Sequence, residues 1–394
     1  MAQSDWRSRH PLRAPPAGDL DANGDDATSG CTHNPFLTIF PYLFIAISLT
    51  LACVSLYVEA CGGEAAEGEA IGDAVAEPSD GESAVGESSD GERADSGAIG
   101  EAAEGALDRL TFHEADLLSP AGWREAAAGC DAALHVASPF PMAAPKDEQE
   151  IIGPARKGLK HVFDACAAEG VNRFVQTSST VAIVYGHGRE QTAFTEQDWT
   201  QLDGGMISAY IKSKTLAEQD LWLMAKQQTK MAVSAVNPGF ILGPILDKKD
   251  PGTSGDVVLK MMRGEFPGVP QLGYPTVDVR DVVSLHFLVL NDEKADGQHF
   301  AATANTLTFQ DLAKARKSTF PKEGRKVGTL AMPNFLLRFF SLFDPSLHTV
   351  LEELGYMATV SSDVAQQRYY WTPRSAEDAG IATAQSLIDL GYLN

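Results

Sequence analysis

At 394 residues the chain has room for one large domain or two, and its 44% hydrophobic content is ordinary for a globular protein. The net charge of −22 is uneven: residues 1–106 carry 19 Asp/Glu against four Lys/Arg, a net of −15, which leaves −7 for the remainder. Such acidity repels phosphate and excludes nucleic acid as a partner, while five cysteines without a CxxC pair and nine histidines without HExxH argue against a disulfide framework or a metal centre.

Residues 1–35 are polar, rich in Pro, Gly and Asp, without a period, and read as disordered. Phe36 to Val58, "FLTIFPYLFIAISLTLACVSLYV", is uncharged over 23 residues. At a rise of about 1.5 Å per residue that is long enough for a transmembrane helix. Arg7, Arg9 and Arg13 before it and acidic sequence after it predict a cytoplasmic N-terminus. The bland alternative is apolar sequence with no such role. Residues 59–106 are acidic and low in complexity, with "GEAAEG" at Gly63 and Gly100 and "SDGE" at Ser79 and Ser89. No aromatic residue falls between Tyr57 and Phe112, so the stretch cannot bury enough apolar surface to offset its ordering entropy and reads as a linker.

The character changes at Leu107. "RLTFHEADL" predicts a strand, "SPAGWREAAAGC" a helix ending near Gly129, and "DAALHVAS" a second strand. Leu159, Val162, Phe163 and Cys166 recur at helical spacing before Gly170, a natural helix C-cap, and Cys166 is expected to pack there as a small hydrophobe. "RFVQTSS" is a strand, Ser208–Lys226 a helix with Ala217, Leu221, Met224 and Ala225 on one face, and "MAVSAV" another strand. Alternating helices and apolar strands predict an α/β fold, a parallel sheet with helices on both faces. After Pro238 the chain loosens into Gly/Pro-rich loops and short helices, as a smaller C-terminal substrate lobe would, with "TFQD" at Thr308–Asp311 as a capping box. The division expected is 107–236 for the sheet domain and 237–394 mainly for the lobe.

Tyr210 and Lys214 are four residues apart, on one face of the Ser208–Lys226 helix. An ammonium beside a phenol stabilises the phenolate and lowers a pKa otherwise near 10. The pair could then protonate a carbonyl oxygen as hydride reaches its carbon. Thr177, Ser178, Ser179 and Thr180 stand at the carboxyl end of the preceding strand, where open α/β sheets bind ligands. Each signal alone has a plain reading, a solvated helix face and a turn; their order on strand, loop and helix favours catalysis.

From about Leu107 to Asn394 the chain resembles the extended short-chain dehydrogenase/reductases, in particular their dihydroflavonol-4-reductase-like and aldehyde-reductase branch. The resemblance is carried in order by "EADL" (Glu114–Leu117), "LHVASPF" (Leu134–Phe140), "RFVQTSS" (Arg173–Ser179), "YIKSKTLAEQ" (Tyr210–Gln219), "NPGFILGP" (Asn237–Pro244) and "VDVRDV" (Val277–Val282). It implies a Rossmann-like sheet and an NAD(P)-dependent reduction of a small aldehyde or ketone, with NADP favoured over NAD. It implies that Ser179 bonds the substrate carbonyl, that Tyr210 donates the proton, and that Lys214 tunes Tyr210 and holds the nicotinamide ribose. It places Asp116 and Leu117 around the adenine, Ala137 and Ser138 near phosphates and ribose, Thr177 and Ser178 along the cofactor, and Pro238 and Gly239 beside the nicotinamide. Phe140 and Phe240 would wall the pocket or simply pack in the lobe, and Tyr185–Trp199 would border it.

The family's opening strand, G-x-x-G-x-x-G turn and helix, whose amides hold the pyrophosphate, have no counterpart before Leu107. Gly97, Gly100 and Gly105 come nearest, but no apolar strand leads in, and Glu101 and Glu104 repel a pyrophosphate. The sheet is therefore expected to be incomplete, with the strand of "DAALHVAS" as an exposed apolar edge. Three readings follow: a reductase in the cytoplasm; a catalytically impaired binding protein, anchored to the membrane if 36–58 spans it; and a chain whose first 106 residues are translated from sequence that replaces a true N-terminal exon.

Overall fold

The computed structural model describes residues 111–138, 145, 147–228, 230–246, 248–266, 268–340 and 351–393. The segments 1–35, 36–58 and 59–106, and with them the spanning helix and the linker, lie outside the described residues, as does Phe140. No helix among the described residues is long and apolar enough to cross a membrane.

The first half of the described chain runs α1 (Trp123–Ala127), β1 (Ala132–His135), α2 (Gln149–Glu169), β2 (Arg173–Thr177), α3 (Val181–Val184), β3 (Ala193–Phe194), α4 (Ala209–Gln227) and β4 (Ala232–Pro238). It continues through β5 (Phe240–Leu242), α5 (Gly252–Arg263), β6 (Gly273–Asp278), α6 (Val279–Leu290), β7 (His299–Ala302), β8 (Asn305–Thr308) and α7 (Phe309–Thr319). The last elements are α8 (Asn334–Phe340), β9 (Thr359–Val360), α9 (Asp363–Tyr369) and α10 (Ala376–Asp389).

The strands β1, β2, β4 and β7 form one parallel sheet in the order β1-β2-β4-β7. Side chains alternate across a strand, so each strand feeds two cores. Ala133, Phe174, Val233 and Ala235 face α2 and α4, where Leu159, Phe163, Cys166 and Leu221 are fully buried. Val175, Val236 and Phe300 face the other way, onto Val282, Leu285 and Val289 of α6 and Trp371 after α9. The helical period that marked α2 thus becomes its buried face, and Gly170 ends the helix at φ 79°, its N–H bonded to the Cys166 carbonyl. Burial pushes the Cys166 thiol up to about 12, so it is an inert packing group.

The strand expected over 109–117 does not form in its described part. Residues 111–116 have no regular structure and Phe112 is 62% exposed. A strand exists only through a ladder partner, and among the described residues β1 has one neighbour, β2, and nothing paired on its outer side. Among the described residues, "TFHEADL" meets no ladder partner. Among the described residues β1 is accordingly an edge strand of this sheet.

A second sheet, β5-β6-β8, packs with α5, α7 and α10 around Leu242, Met262, Leu312 and Leu387. Thr308 opens α7 as expected, its Oγ1 accepting from the Asp311 N–H at 3.0 Å and donating to the Asp311 carboxylate. The late chain also returns to the first half. β9 pairs with β3, Tyr356 Oη donates to the Gln191 carbonyl at 2.9 Å, and Arg189 donates to the Leu354 carbonyl at 2.7 Å.

Candidate active site

Helix α4 starts where Ser208 caps it, its Oγ accepting from the Ile211 N–H at 3.3 Å. The cap fixes the helix phase and puts Tyr210 in the first turn, where the helix dipole favours a negative phenolate. Tyr210, Lys214 and Glu218 follow at intervals of four and so share one face. Tyr210 packs against the cluster that includes Val181, Ile183 and Val184 of α3, the short helix that begins just after Ser179. Lys214 is buried, 3% exposed, and burial pulls its ammonium down to about 8 against the opposing pull of the Glu218 carboxylate.

Glu218, fully buried, is the centre of the site. Its Oε2 accepts from the Ser178 hydroxyl and from Asn237 Nδ2 at 2.7 Å. Its Oε1 accepts from His299 Nδ1 at 2.6 Å and Trp222 Nε1 at 3.3 Å. The other nitrogen of His299 meets the Glu196 carbonyl at 2.5 Å. Both ring nitrogens face acceptors, so both must donate, and His299 is an imidazolium. Burial works against that charge, but the Glu218 carboxylate outweighs it and raises the His299 pKa. Burial likewise works to raise the Glu218 pKa, and His299, Ser178 and Asn237 together bring it below the usual value.

Asn237 joins this cluster to the serine. The same Nδ2 that bonds Glu218 also donates to the Ser179 carbonyl at 3.2 Å. Ser179 is 2% exposed; its Oγ donates to the Pro238 carbonyl at 3.4 Å and accepts from the Val181 N–H at 3.3 Å. Thr180 N–H bonds the Pro238 carbonyl at 2.9 Å. The end of β2, the end of β4 and the inner face of α4 are thereby pinned together, and Ser178, Ser179, Lys214 and Pro238 belong to one locality.

Other expected site residues stand elsewhere or have structural partners. Thr177 faces the opposite side of the sheet, its Oγ1 2.8 Å from His286 Nε2. His286 gives its Nδ1–H to the Val282 carbonyl, so Nε2 accepts from Thr177 and the ring is neutral; burial lowers its pKa to about 4. Asp116 is exposed and closes a local turn, its Oδ1 accepting from the Leu118 N–H at 2.8 Å. Leu117 packs on α2 and its carbonyl lies 3.1 Å from His161 Nδ1. Ala137 and Ser138 follow β1, partly exposed, in a segment without regular structure. Gly239 is small because a Cβ there would sit 2.2 Å from the Pro275 carbonyl oxygen. Phe240 lines a pocket and also packs against Phe309, so both of its expected roles coexist.

The pocket opens beside the serine. Thr180, Val181 and Tyr185 supply one wall, Phe240 and Tyr274 another, and Glu353 closes it. Glu218, His299 and Glu353 are absent from the sequence reading. Glu218 was reachable, since it continues the Tyr210–Lys214 spacing by one more turn. His299 and Glu353 had no local signal, because only the fold brings them near.

For a dinucleotide, the chain offers unequal halves. At the ends of β1 and β2, His135 Nδ1 and Gln176 Oε1 are buried polar atoms without a hydrogen-bond partner among the described residues, in paired register. They stand at strand carboxyl ends, where open α/β sheets bind ligands, and His135 lies in the field of Lys214. As buried polar atoms left open at such an edge, they fit a polar group of such a cofactor. Among the described residues, no Gly-rich turn leads from a strand into a helix to hold a pyrophosphate.

Comparison with known proteins agrees with this architecture. A cinnamoyl-CoA reductase of Medicago truncatula is 32% identical over 223 residues, 55% of this chain and 67% of that protein. Tetraketide alpha-pyrone reductase 1 of Arabidopsis thaliana is 29% identical over 279 residues, 65% of this chain and 84% of that protein. Cinnamoyl-CoA reductase 2 of the same plant is 35% identical but spanned over only 59% of its length. Among solved structures, the yeast methylglyoxal/isovaleraldehyde reductase complexed with NADPH superposes with a TM-score of 0.59 at 21% identity, over 71% of this chain and 84% of that one. Vestitone reductase from alfalfa gives a TM-score of 0.59 at 20% identity, over 77% and 89%. The model of the NAD dependent epimerase/dehydratase family matches residues 84–302, more than half of the sequence, and the chain belongs to that family.

Proposed function

We propose that the protein is an NAD(P)-dependent reductase that converts the carbonyl of a small aldehyde or ketone to an alcohol. The observation that carries this reading is the Asn237 amide, bonded at once to Glu218 on the Tyr210–Lys214 helix and to the Ser179 carbonyl. It fixes the serine loop against the helix that bears the phenol and the ammonium. NADPH or NADH, when bound, supplies hydride to the carbonyl carbon. Ser179 hydrogen-bonds the carbonyl oxygen and orients it. Tyr210 delivers its phenolic proton to that oxygen as negative charge develops there. Lys214 remains largely cationic near neutral pH and stabilises the phenolate left behind. Pro238 and Gly239 border the nicotinamide, and Lys214 would hold its ribose. The relatives named for carbonyl and CoA-thioester reduction, and the fold neighbour bound to NADPH, support the same reading.

The incomplete cradle favours a second reading, in which the fold binds a small molecule without turning it over. Purified protein titrated with NADPH and NADH decides between the two. Reduction predicts a change in tryptophan fluorescence and a carbonyl-dependent fall in nicotinamide absorbance. Tyr210→Phe should then lower turnover by roughly 10²-fold or more while leaving the fluorescence titration in place. No fluorescence response to either dinucleotide and no absorbance change would rule the reductase out.

A further inference from the structure

The apolar core on one face of the parallel sheet stops short of the β1 edge. Helix α6 lies across that face, and its two flanks differ. One flank is covered: Trp371 Nε1 donates to the Asp281 carbonyl and to the Ser284 hydroxyl, both at 3.1 Å. On the other, Val283, His286, Phe287 and Leu290 follow at i, i+3, i+4 and i+7. This second flank points towards β2. His286 Nε2 lies 2.8 Å from Thr177 Oγ1, and the Leu290 carbonyl accepts from Arg173 at 2.8 Å. Beyond β2 comes β1, whose Ala132 and Leu134 are in register with Arg173 and Val175 and so point to the α6 side. Ala132 and Leu134 are only partly buried there, and Val283 and Phe287 are 42% and 43% exposed. Helix and strand thus form an apolar step, Val283 and Phe287 its wall and Ala132 and Leu134 its floor. Among the described residues β1 has no strand on its outer side.

Whatever covers such a step must be apolar and uncharged. The sequence before Thr111 holds one long stretch of that kind, the run from Leu37 to Val58. The 52 residues from Glu59 to Leu110 that join it to the described chain carry 15 Asp/Glu against two Lys/Arg, so they are no candidates themselves. As a flexible tether they span about 40 Å, which reaches any face of a domain of this size. They hold the run at an effective concentration of roughly millimolar, so the step meets its own chain's apolar run before a stranger's. A second copy fits less well, because two chains of net charge −22 repel while the run is uncharged.

We propose that the run from Leu37 to Val58 folds back onto this step and covers Val283, Phe287, Ala132 and Leu134, extending the core beyond β1 instead of crossing a membrane. The assignment is independent of any turnover at the candidate active site.

The test uses the full chain. p-Benzoylphenylalanine in place of Phe287 is irradiated in a mixture of heavy-isotope-labelled and unlabelled protein. Adducts to peptides from 37–58 should form, with both halves of each adduct carrying the same label. The same probe in place of Ser284 labels the segment around Trp371 and so verifies the photochemistry. Phe287→Lys gives a second readout without cross-linking. A lysine suits an exposed site near a helix C-terminus, so on a bare flank the midpoint of thermal unfolding would hold or rise. Under an apolar cover it should fall, by about 4 °C. Adducts of mixed label, which mean a second copy, overturn the proposal, as do adducts only outside 37–58 or none at 287 while the 284 probe reacts. A Phe287→Lys midpoint at or above the wild-type value overturns it too, and so does recovery of the unmodified chain only in membranes that resist alkaline carbonate.

Discussion

Two sides of the same parallel sheet are built differently. On the β4–β7 side, the Glu218 carboxylate has four donors and His299 two acceptors, and the Asn237 amide nitrogen bridges to Ser179, while Asn237 Oδ1 has no partner among the described residues. On the β1 side, His135 Nδ1 and Gln176 Oε1 are buried without one, and Phe112 and Leu118 are more than half exposed. The contrast does not follow the ladder, since β7, which carries His299, ends the described sheet just as β1 does, and β2, which carries Gln176, lies inside it; it follows Glu218, whose carboxylate gathers donors on one side. The charged network around Glu218 is densely paired, and the carboxyl end of the β1–β2 pair leaves two buried polar atoms open.

The comparison can be broken most forcefully at Glu218. Glu218→Leu strands the His299, Ser178 and Asn237 groups in a dry interior. It should cost about 3–5 kcal/mol in urea unfolding, because breaking a buried pair leaves an uncompensated charge. Turnover should fall with it, whereas Glu218→Gln should lose less in stability. A cost below ~1 kcal/mol for the leucine variant would show that the network is ornamental.

The two sides also carry histidines of opposite sign in acid, which sharpens the contrast. The folded pKa of His299 is raised, so its contribution is fully present below the ordinary 6.5 and is lost as pH rises through the folded value. The Glu218 pKa is lowered, so its contribution is present above the ordinary 4.5 and fades as pH falls through the folded value. His135 does the reverse of His299. Burial first, and then the Lys214 charge, lower it from 6.5 to about 3, so the unfolded chain takes up a proton that the folded chain refuses. Its cost therefore grows as pH falls below 6.5, at roughly 1.4 kcal/mol per pH unit well below that value. His135→Phe should recover about 2 kcal/mol at pH 5 relative to wild type, with little change at pH 7. Parallel pH–stability curves for the two proteins would show that His135 titrates normally.

The smallest effect belongs to the exposed segment before α1. Phe112→Ser should alter stability by less than about 0.5 kcal/mol, since a side chain already in water has little burial to lose. A loss above ~1 kcal/mol in thermal unfolding would mean that Phe112 is covered in solution.

Local chemistry made much of the fold legible. The apolar period of α2, the glycine at its end, the serine that opens α4 and the apolar run of β4 each depend on neighbours within a few residues. What failed or went unseen depends on distant ones. "TFHEADL" reads as a strand, but a strand needs a ladder partner and none pairs with it among the described residues. Thr177 looked equivalent to Ser178, yet the pleat sends it to the opposite face and to His286. Glu353 sits in an unremarkable "LEELGY", and only packing against Tyr274 and Tyr185 gives it significance.

The return of the late chain to the early one carries a consequence for synthesis. The pocket takes walls from residues 180–185, from Phe240 and Tyr274, and from Glu353 to Ala358, and β9 closes the pair with β3. A ribosome adds residues at roughly 5–20 per second, and amino-terminal parts fold first. The nascent parallel sheet can therefore assemble while the segment that closes the pocket is still unmade. For that interval Tyr185 and Phe240 face solvent without the cover that Glu353 to Ala358 later supply, and factors that bind exposed aromatic surface have their best opportunity then.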